Sequence, residues 1–285
     1  MEIITPPAPN TKFRYVLFDF DGTLSLIREG WQEIMIPYFV EILSQTPNAE
    51  DKATIEEIVT AFVDRLTGKQ TIFQCIKLDE EVVQRGGMKQ EPGVYKAEYL
   101  RRLGDRIKSR LEELRNGCNP EKYLVPGSVR LLELLKNEDY NLYLASGTDE
   151  PDVIAEAKLL KLDKYFGQHI YGARDNETAC SKETVIKQIV ASNNLTGAEL
   201  ISFGDGFVEI ELVAGIGGYS VGVATDEVRK NGIVNQRKRE RLLEAGAAMI
   251  IPDFSDADKL VALWGQWKAF VGQSMTSYNN SQKKK

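Results

Sequence analysis

The chain has 285 residues, 42% apolar and 27% charged, an ordinary balance for a protein that buries a core; at roughly 150 residues per domain it holds about two domains or one large one. Its 36 basic and 42 acidic side chains leave a net charge of −6, which excludes a broad basic face for nucleic acid but allows a local basic pocket for a small anion. The single histidine, His169, excludes multi-histidine zinc sites, so any metal would be held mainly by carboxylates, the ligands of a hard ion such as Mg²⁺.

Residues 1–12 are Pro-rich and are expected to be partly extended, with neither the basic start nor the apolar stretch of a signal peptide. Phe13 to Phe20 reads as a buried strand, because Tyr15, Val16, Leu17 and Phe18 form a short apolar run that stops at the turn signal Asp21-Gly22. Asp19 and Asp21 stand two apart at its end and can point the same way. Their repulsion calls for a cation.

From Trp31 to Leu114 apolar residues recur at helical spacing, as in Ile34, Tyr38, Ile42 and in Ile55, Val59, Phe62, Val63, Leu66. Breaks at Thr67-Gly68 and Gly86-Gly87 divide this helical insert. Tyr99, Leu100, Leu103 and Ile107 read as helical core.

After Pro126-Gly127 strands and helices alternate. A helix from Ser128 to about Lys136 precedes a strand from Tyr140 to Ala145, which ends at Ser146-Gly147-Thr148. A helix from Asp152 to Leu160, a short strand from His169 to Gly172 and a helix from Lys182 to Ser192 follow. The strand Leu200 to Phe203 ends at Gly204-Asp205-Gly206, and Val208 to Ala214 opens another helix. Tyr219 to Val223 and Ala248 to Ile251 read as later strands. His169 reads as a structural residue, and Arg237-Lys238-Arg239-Glu240-Arg241 as the solvated face of a helix.

Alternation of this kind predicts an α/β fold with a doubly wound, mainly parallel sheet covered on both faces. Ligands bind such sheets beyond the carboxyl ends of the strands, where Asp19, Asp21, Ser146 and Asp205 lie. The expected division is an α/β core from residues 1–25 and 124–272, a helical domain of residues 26–123 inserted above the site, and a flexible tail over 273–285. No apolar run approaches the roughly 18 residues of a membrane span. Cys75, Cys118 and Cys180 suggest no disulfide framework, which points to a reducing cytoplasm.

Four polar clusters stand in order: Asp19-Phe20-Asp21-Gly22-Thr23 behind an apolar strand, Ser146 at the next strand end, Lys182 at a helix start, and Gly204-Asp205 followed by Glu209. In this the chain resembles the haloacid dehalogenase-like superfamily, in its phosphatase-type branch, whose core is Rossmann-like and carries a cap between the first two motifs. The resemblance implies that Asp19 is the nucleophile and becomes a phosphoaspartate, and that Asp21 is first general acid and then general base. Asp21 also separates phosphatases from dehalogenases and phosphonatases, which lack an aspartate there. Ser146, Gly147 and Thr148 would hold the phosphate together with Gly22 and Thr23, and Lys182 would neutralise it. Lys187 is an alternative further into the same helix. Asp19, Asp205, Glu209 and the Asp21 backbone carbonyl would hold Mg²⁺, with Glu209 ligating directly or through water.

By the same resemblance residues 26–123 form a helical cap. Arg28 and Trp31 would make a hinge or flap contact. Thr67-Gly68-Lys69-Gln70-Thr71 is either the loop that brings Lys69 or Gln70 to the substrate or a solvated turn. The activity implied is a Mg²⁺-dependent phosphatase of a small phosphorylated metabolite, resembling phosphoglycolate or a sugar phosphate. A sugar-phosphate phosphomutase using the same aspartate, or a binding module without turnover, are the alternatives. No nucleic-acid or membrane partner is expected.

Overall fold

The computed structural model describes residues 1–8, 11–174 and 181–264. Cys180 and the tail expected over 273–285 lie outside the described residues. Seven strands form one sheet in the order β1-β7-β6-β5-β2-β3-β4. They are β1 (Glu2–Ile3), β2 (Tyr15–Phe18), β3 (Asn141–Asp149), β4 (Ile170–Ala173), β5 (Leu200–Gly204), β6 (Tyr219–Val223) and β7 (Met249–Ile251). Every pair is parallel except β1 on β7. β1 was not evident in the sequence. Two residues carry too little pattern to read, and its place on the β7 edge is set by pairing and by the Glu2–Arg239 ion pair at 2.7 Å.

β2 runs through the middle of the sheet, its Val16, Leu17 and Phe18 buried on both faces, as a parallel strand covered by helices must be. β3 and β5 flank it in register, Phe18 lying opposite Leu144 on one side and Phe203 on the other. The Phe18 and Phe203 rings stack with centroids 5.0 Å apart, and Phe254 and Trp264 close around Phe203. β3 runs past Ser146 to Asp149, longer than the hydrophobic run suggests, because pairing with β4 resumes there beyond an irregular register shift.

The insert between β2 and β3 contains α1 (Gln32–Leu43), α2 (Lys52–Arg65), α3 (Thr71–Gln84) and α4 (Pro92–Arg115). Asp51 caps α2, accepting from the backbone N–H groups of Ala53 and Thr54 at 3.0 and 3.2 Å. Pro92 opens α4 at the position where its missing N–H costs nothing. Within the insert, Arg110 of α4 donates to the Ile27 and Glu29 carbonyls of the segment leading into α1 at 2.8 and 2.9 Å, and Lys96 fastens α4 to the end of β3 by pairing with Asp149 at 2.7 Å.

Around the sheet lie a short 3₁₀ turn (Pro120–Tyr123) and helices α5 (Ser128–Asn137), α6 (Glu150–Leu159), α7 (Asp163–Phe166), α8 (Ser181–Ser192), α9 (Phe207–Gly215) and α10 (Gln236–Glu244). No described helix is long and apolar enough to cross a membrane.

Candidate active site

Three adjacent strands end at one hollow. β2 ends at Asp19, β3 carries Ser146, Gly147 and Thr148, and β5 ends at Gly204 before Asp205. A cavity of about 80 Å³ lies over these ends, walled by Asp19, Asp21, Gly22, Ser146, Gly147, Thr148, Lys182 and Asp205 from the sheet side. From the insert and the segment leading into it come Arg28, Trp31, Met35, Thr67, Gly68, Lys69, Thr71, Gln74, Tyr99 and Leu103. The four separated polar clusters of the sequence thus meet at one place.

The turn after β2 explains how the two aspartates are held. Gly22 has φ +76°, a left-handed conformation that favours glycine, and a Cβ on it would collide with the Asp205 carboxylate. Asp205 therefore packs against the backbone next to Asp21. Asp21 Oδ2 accepts from Thr148 Oγ1 at 2.8 Å and from Ser146 Oγ at 3.2 Å. Its other oxygen, Oδ1, is buried without a protein partner. Ser146 Oγ in turn accepts from the Thr148 N–H at 3.0 Å.

Lys182, at the start of α8, is 1% exposed and bridges two carboxylates, Asp19 Oδ1 at 2.7 Å and Glu209 Oε2 at 2.6 Å. Burial opposes its charge, but Asp19 and Glu209 outweigh burial and hold the ammonium protonated well above its ordinary range. Burial pushes the Asp19 carboxyl up; Lys182 opposes this, while Glu209 and Asp205 repel the charge and add to it. On Asp205 burial also pushes upward, but Lys238 and Arg241 overcome it and its carboxyl lies below its usual value. Lys187, the alternative cation, is exposed and pairs with Glu183 on its own helix at 2.6 Å.

Several residues have other duties than the sequence suggested. Thr23 is wholly buried behind the wall. Its hydroxyl accepts from the Asp205 N–H at 3.0 Å and lies 3.4 Å from Asp19 Oδ2, so it ties two strand ends together instead of reaching a substrate. Glu209 is also wholly buried, and its oxygens are engaged by Lys182 and by the Gly206 N–H at 2.9 Å. A glutamate one methylene longer than aspartate reaches back to cap its own helix, so both of its oxygens are already engaged. Gln70 precedes α3 and faces a separate groove beside Lys96 and Arg174. Gln74, one helical turn on, takes the place in the cavity wall. Arg28 lines the cavity, but its guanidinium is engaged by Glu156 at 2.7 Å and Asp152 at 3.0 Å.

The loop Thr67–Gln70 forms the roof. The Lys69 carbonyl and Gly68 rest on two glycines of the sheet side. A Cβ on Gly147 would lie 2.6 Å from the Lys69 carbonyl oxygen, and one on Gly206 would lie 3.2 Å from Gly68 Cα. Lys69 itself lines the cavity. The loop is a contact loop and not a free solvated turn.

Sequence reasoning missed Glu227, which lines the cavity from the segment after β6, and Lys238 on α10. Lys238 Nζ bridges Asp205 Oδ2 at 2.7 Å and Glu227 Oε1 at 2.5 Å. The run expected as a solvated helix face is therefore divided, with Lys238 turned inward. A signal existed for Glu227, since Asp226-Glu227 stands beyond a strand end as the other clusters do. For Lys238 the surrounding charges masked it. Tyr99 and Leu103 are buried as expected, yet they also line the cavity.

Among the described residues no three His, Cys, Asp or Glu side chains are already gathered as a metal site. The cavity offers hard oxygens, the carboxylates of Asp19 and Asp205, which both line it. Asp205 raises the proton affinity of Asp19 by repulsion, so a cation between them would relieve both. Four carboxylates against three cationic side chains line the cavity, an acidic balance that a phosphorylated ligand would worsen. The donor set fits a hard divalent ion.

A family model described as haloacid dehalogenase-like hydrolase matches residues 13–217. Among solved structures, a predicted phosphoglycolate phosphatase from Haemophilus somnus 129PT is 17% identical with a TM-score of 0.56, over 87% of this chain and 98% of that one. A β-phosphoglucomutase from Clostridium difficile is 13% identical with a TM-score of 0.59, over 90% and 98%. A predicted phosphatase from Clostridium acetobutylicum is 19% identical with a TM-score of 0.56, over 88% and 99%. At these identities the likeness is one of fold. No curated protein matches the chain.

Proposed function

The chain belongs to the haloacid dehalogenase-like hydrolases, and from that membership we propose that it is a Mg²⁺-dependent phosphatase that cleaves a small phosphorylated metabolite through a phosphoaspartate on Asp19. The observation that carries this reading is the single cavity wall shared by Asp19, Asp21, Ser146, Lys182 and Asp205.

A carboxylate attacking a phosphate ester meets like charge, so the protein must position and neutralise. Asp19 forms a bond to phosphorus as the ester oxygen leaves, and Asp21 gives that oxygen its proton. In the second half Asp21 takes a proton from the attacking water, and phosphate leaves Asp19. The Ser146 and Thr148 hydroxyls on Asp21 Oδ2 suit both states, because a hydroxyl both donates and accepts. The unpartnered Oδ1 is the atom left for the proton in transit. Lys182 sets the charge of Asp19 and holds its oxygen. Asp19, Asp205 and the Asp21 carbonyl would hold the ion, which when bound supplies charge neutralisation between carboxylate and phosphoryl oxygens.

Residues 26–123 act as the cap. The roof resting on Gly147 and Gly206 shields the site from bulk water, and a cavity of only about 80 Å³ favours a substrate of phosphoglycolate or sugar-phosphate size over a phosphoprotein. Lys69 and Gln74 are the cap's polar contacts for the leaving group. The reduced cytoplasm is the setting that suits this enzyme.

The test is phosphate release from a panel of phosphorylated two- and three-carbon acids, sugars and nucleotides with Mg²⁺. Release should stop with EDTA and in Asp19→Asn. Silence of the wild type across the panel, or isomerisation of a sugar phosphate without net release, would overturn the phosphatase reading.

A further inference from the structure

Asp205 and Glu227 come from different segments, yet both line the cavity, and one ammonium joins them. Two carboxylates brought this close out of water repel unless a cation lies between them. Lys238 meets that need, with a side chain only 14% exposed. Its helix is pinned on both sides of it. Arg237 pairs with Asp64 of the insert, and Arg241 Nη2 donates to the Asp205 carbonyl oxygen at 2.9 Å. The ammonium is therefore fixed in place by its neighbours as well as by its own bonds.

Carboxylates that bridge two divalent ions about 3.5–4 Å apart form the two-metal sites of many phosphoryl-transfer enzymes. Asp205 has the makings of such a bridge. Its Oδ2 is taken by Lys238, and Glu227 stands beyond as a further oxygen ligand. We propose that Lys238 is a tethered ammonium that fills the Asp205–Glu227 pair, keeps a second divalent ion out of it, and holds Asp205 for the one ion it would share with Asp19. This rests on the cation site proposed above. Lys238 is a positioning residue, since it acts through Asp205.

The experiment counts ions. Metal-free full-length protein is titrated with Mn²⁺, and bound ions are counted from the electron paramagnetic resonance of the free ion. The wild type should bind one ion, Lys238→Met two, and Lys238→Met/Glu227→Gln one again. Lys238→Gln, which removes the charge but keeps a polar side chain in the pocket, should also bind two, and it serves if the methionine variant does not fold. One ion in both single variants overturns the inference and leaves the phosphatase reading standing. Two ions in the wild type, or two in the double variant, also overturn it. No ion in the wild type removes the cation site and the inference together.

Discussion

The Lys69 carbonyl stands directly over Gly147, so close that a Cβ on the glycine would lie 2.6 Å from its oxygen. The loop of the insert and the end of β3 fit only because that position has no side chain. The requirement is steric, so its consequences fall on closure and not on the core.

Gly147→Ala should lift the roof while the sheet below stays folded. Displacing a positioning element by about 1 Å can cost about 10²-fold in rate. We expect kcat/KM to fall by about 10- to 100-fold, with the unfolding midpoint nearly unchanged. Gly206→Ala, whose Cβ would meet Glu209 Oε1 at 3.1 Å and Gly68 Cα at 3.2 Å, both looser contacts, should lose less. Equal losses, or none at Gly147, would contradict the roof contact.

Lys182→Met should be costly to the fold itself. It leaves Asp19 and Glu209 buried without their shared ammonium, and breaking a buried pair from one side costs about 3–5 kcal/mol. Lys187→Met removes only an exposed pair four residues apart, worth up to ~0.5 kcal/mol. Denaturant unfolding of the two variants, with phosphate release measured beside it, separates the two lysines. A Lys182 variant as stable and active as the wild type would refute the assignment.

The pH dependence of stability should carry a signature of Glu156. Burial raises its carboxyl from 4.5 to about 7, with Asp21 adding and Arg28 opposing. The folded state therefore binds this proton more tightly than the unfolded state. The stabilisation is fully present below about 4.5 and is lost as pH rises through about 7. At ~1.4 kcal/mol per tenfold change in proton affinity, the effect is about 3 kcal/mol. Glu156→Gln should flatten the fall in stability between those pH values. An unchanged slope in the variant would assign the dependence to other groups.

Thiol reactivity should split the described cysteines. Cys75 is buried, and burial pushes its thiol up to about 12, with Lys96 opposing. Cys118 is partly exposed. A disulfide reagent at neutral pH should label Cys118 in the folded protein and Cys75 only on unfolding. Prompt labelling of Cys75, located by peptide mass, would show that α3 opens more readily than its packing implies.

Much of the fold was legible because β2 and β5 are short, largely apolar runs ending at turn signals, a pattern set by burial on both faces. The candidate site was legible where its residues sit at strand ends, since strand geometry aims Asp19, Ser146 and Asp205 at one rim. It was illegible where the third dimension chooses among similar residues. Nothing local distinguishes Lys238 from Arg237 and Arg239, because only the approach of α10 to β5 turns one inward. Gln70 and Gln74 differ by a helical turn whose phase the start of α3 decides. Glu209 sits at the spacing of a ligand, and nothing in the sequence shows that its extra methylene also brings it to the Gly206 N–H.

Phe18 and Phe203 stack face to face immediately behind the strand ends that carry Asp19 and Asp205. The β2–β5 hydrogen-bond ladder sets the spacing of these two strand ends, and the stacked rings back it with a stiff aromatic plate. An aliphatic side chain of equal hydrophobicity at either position would keep the ladder but take away that stiff backing. Alignment of the chemistry is set one layer below the residues that perform it.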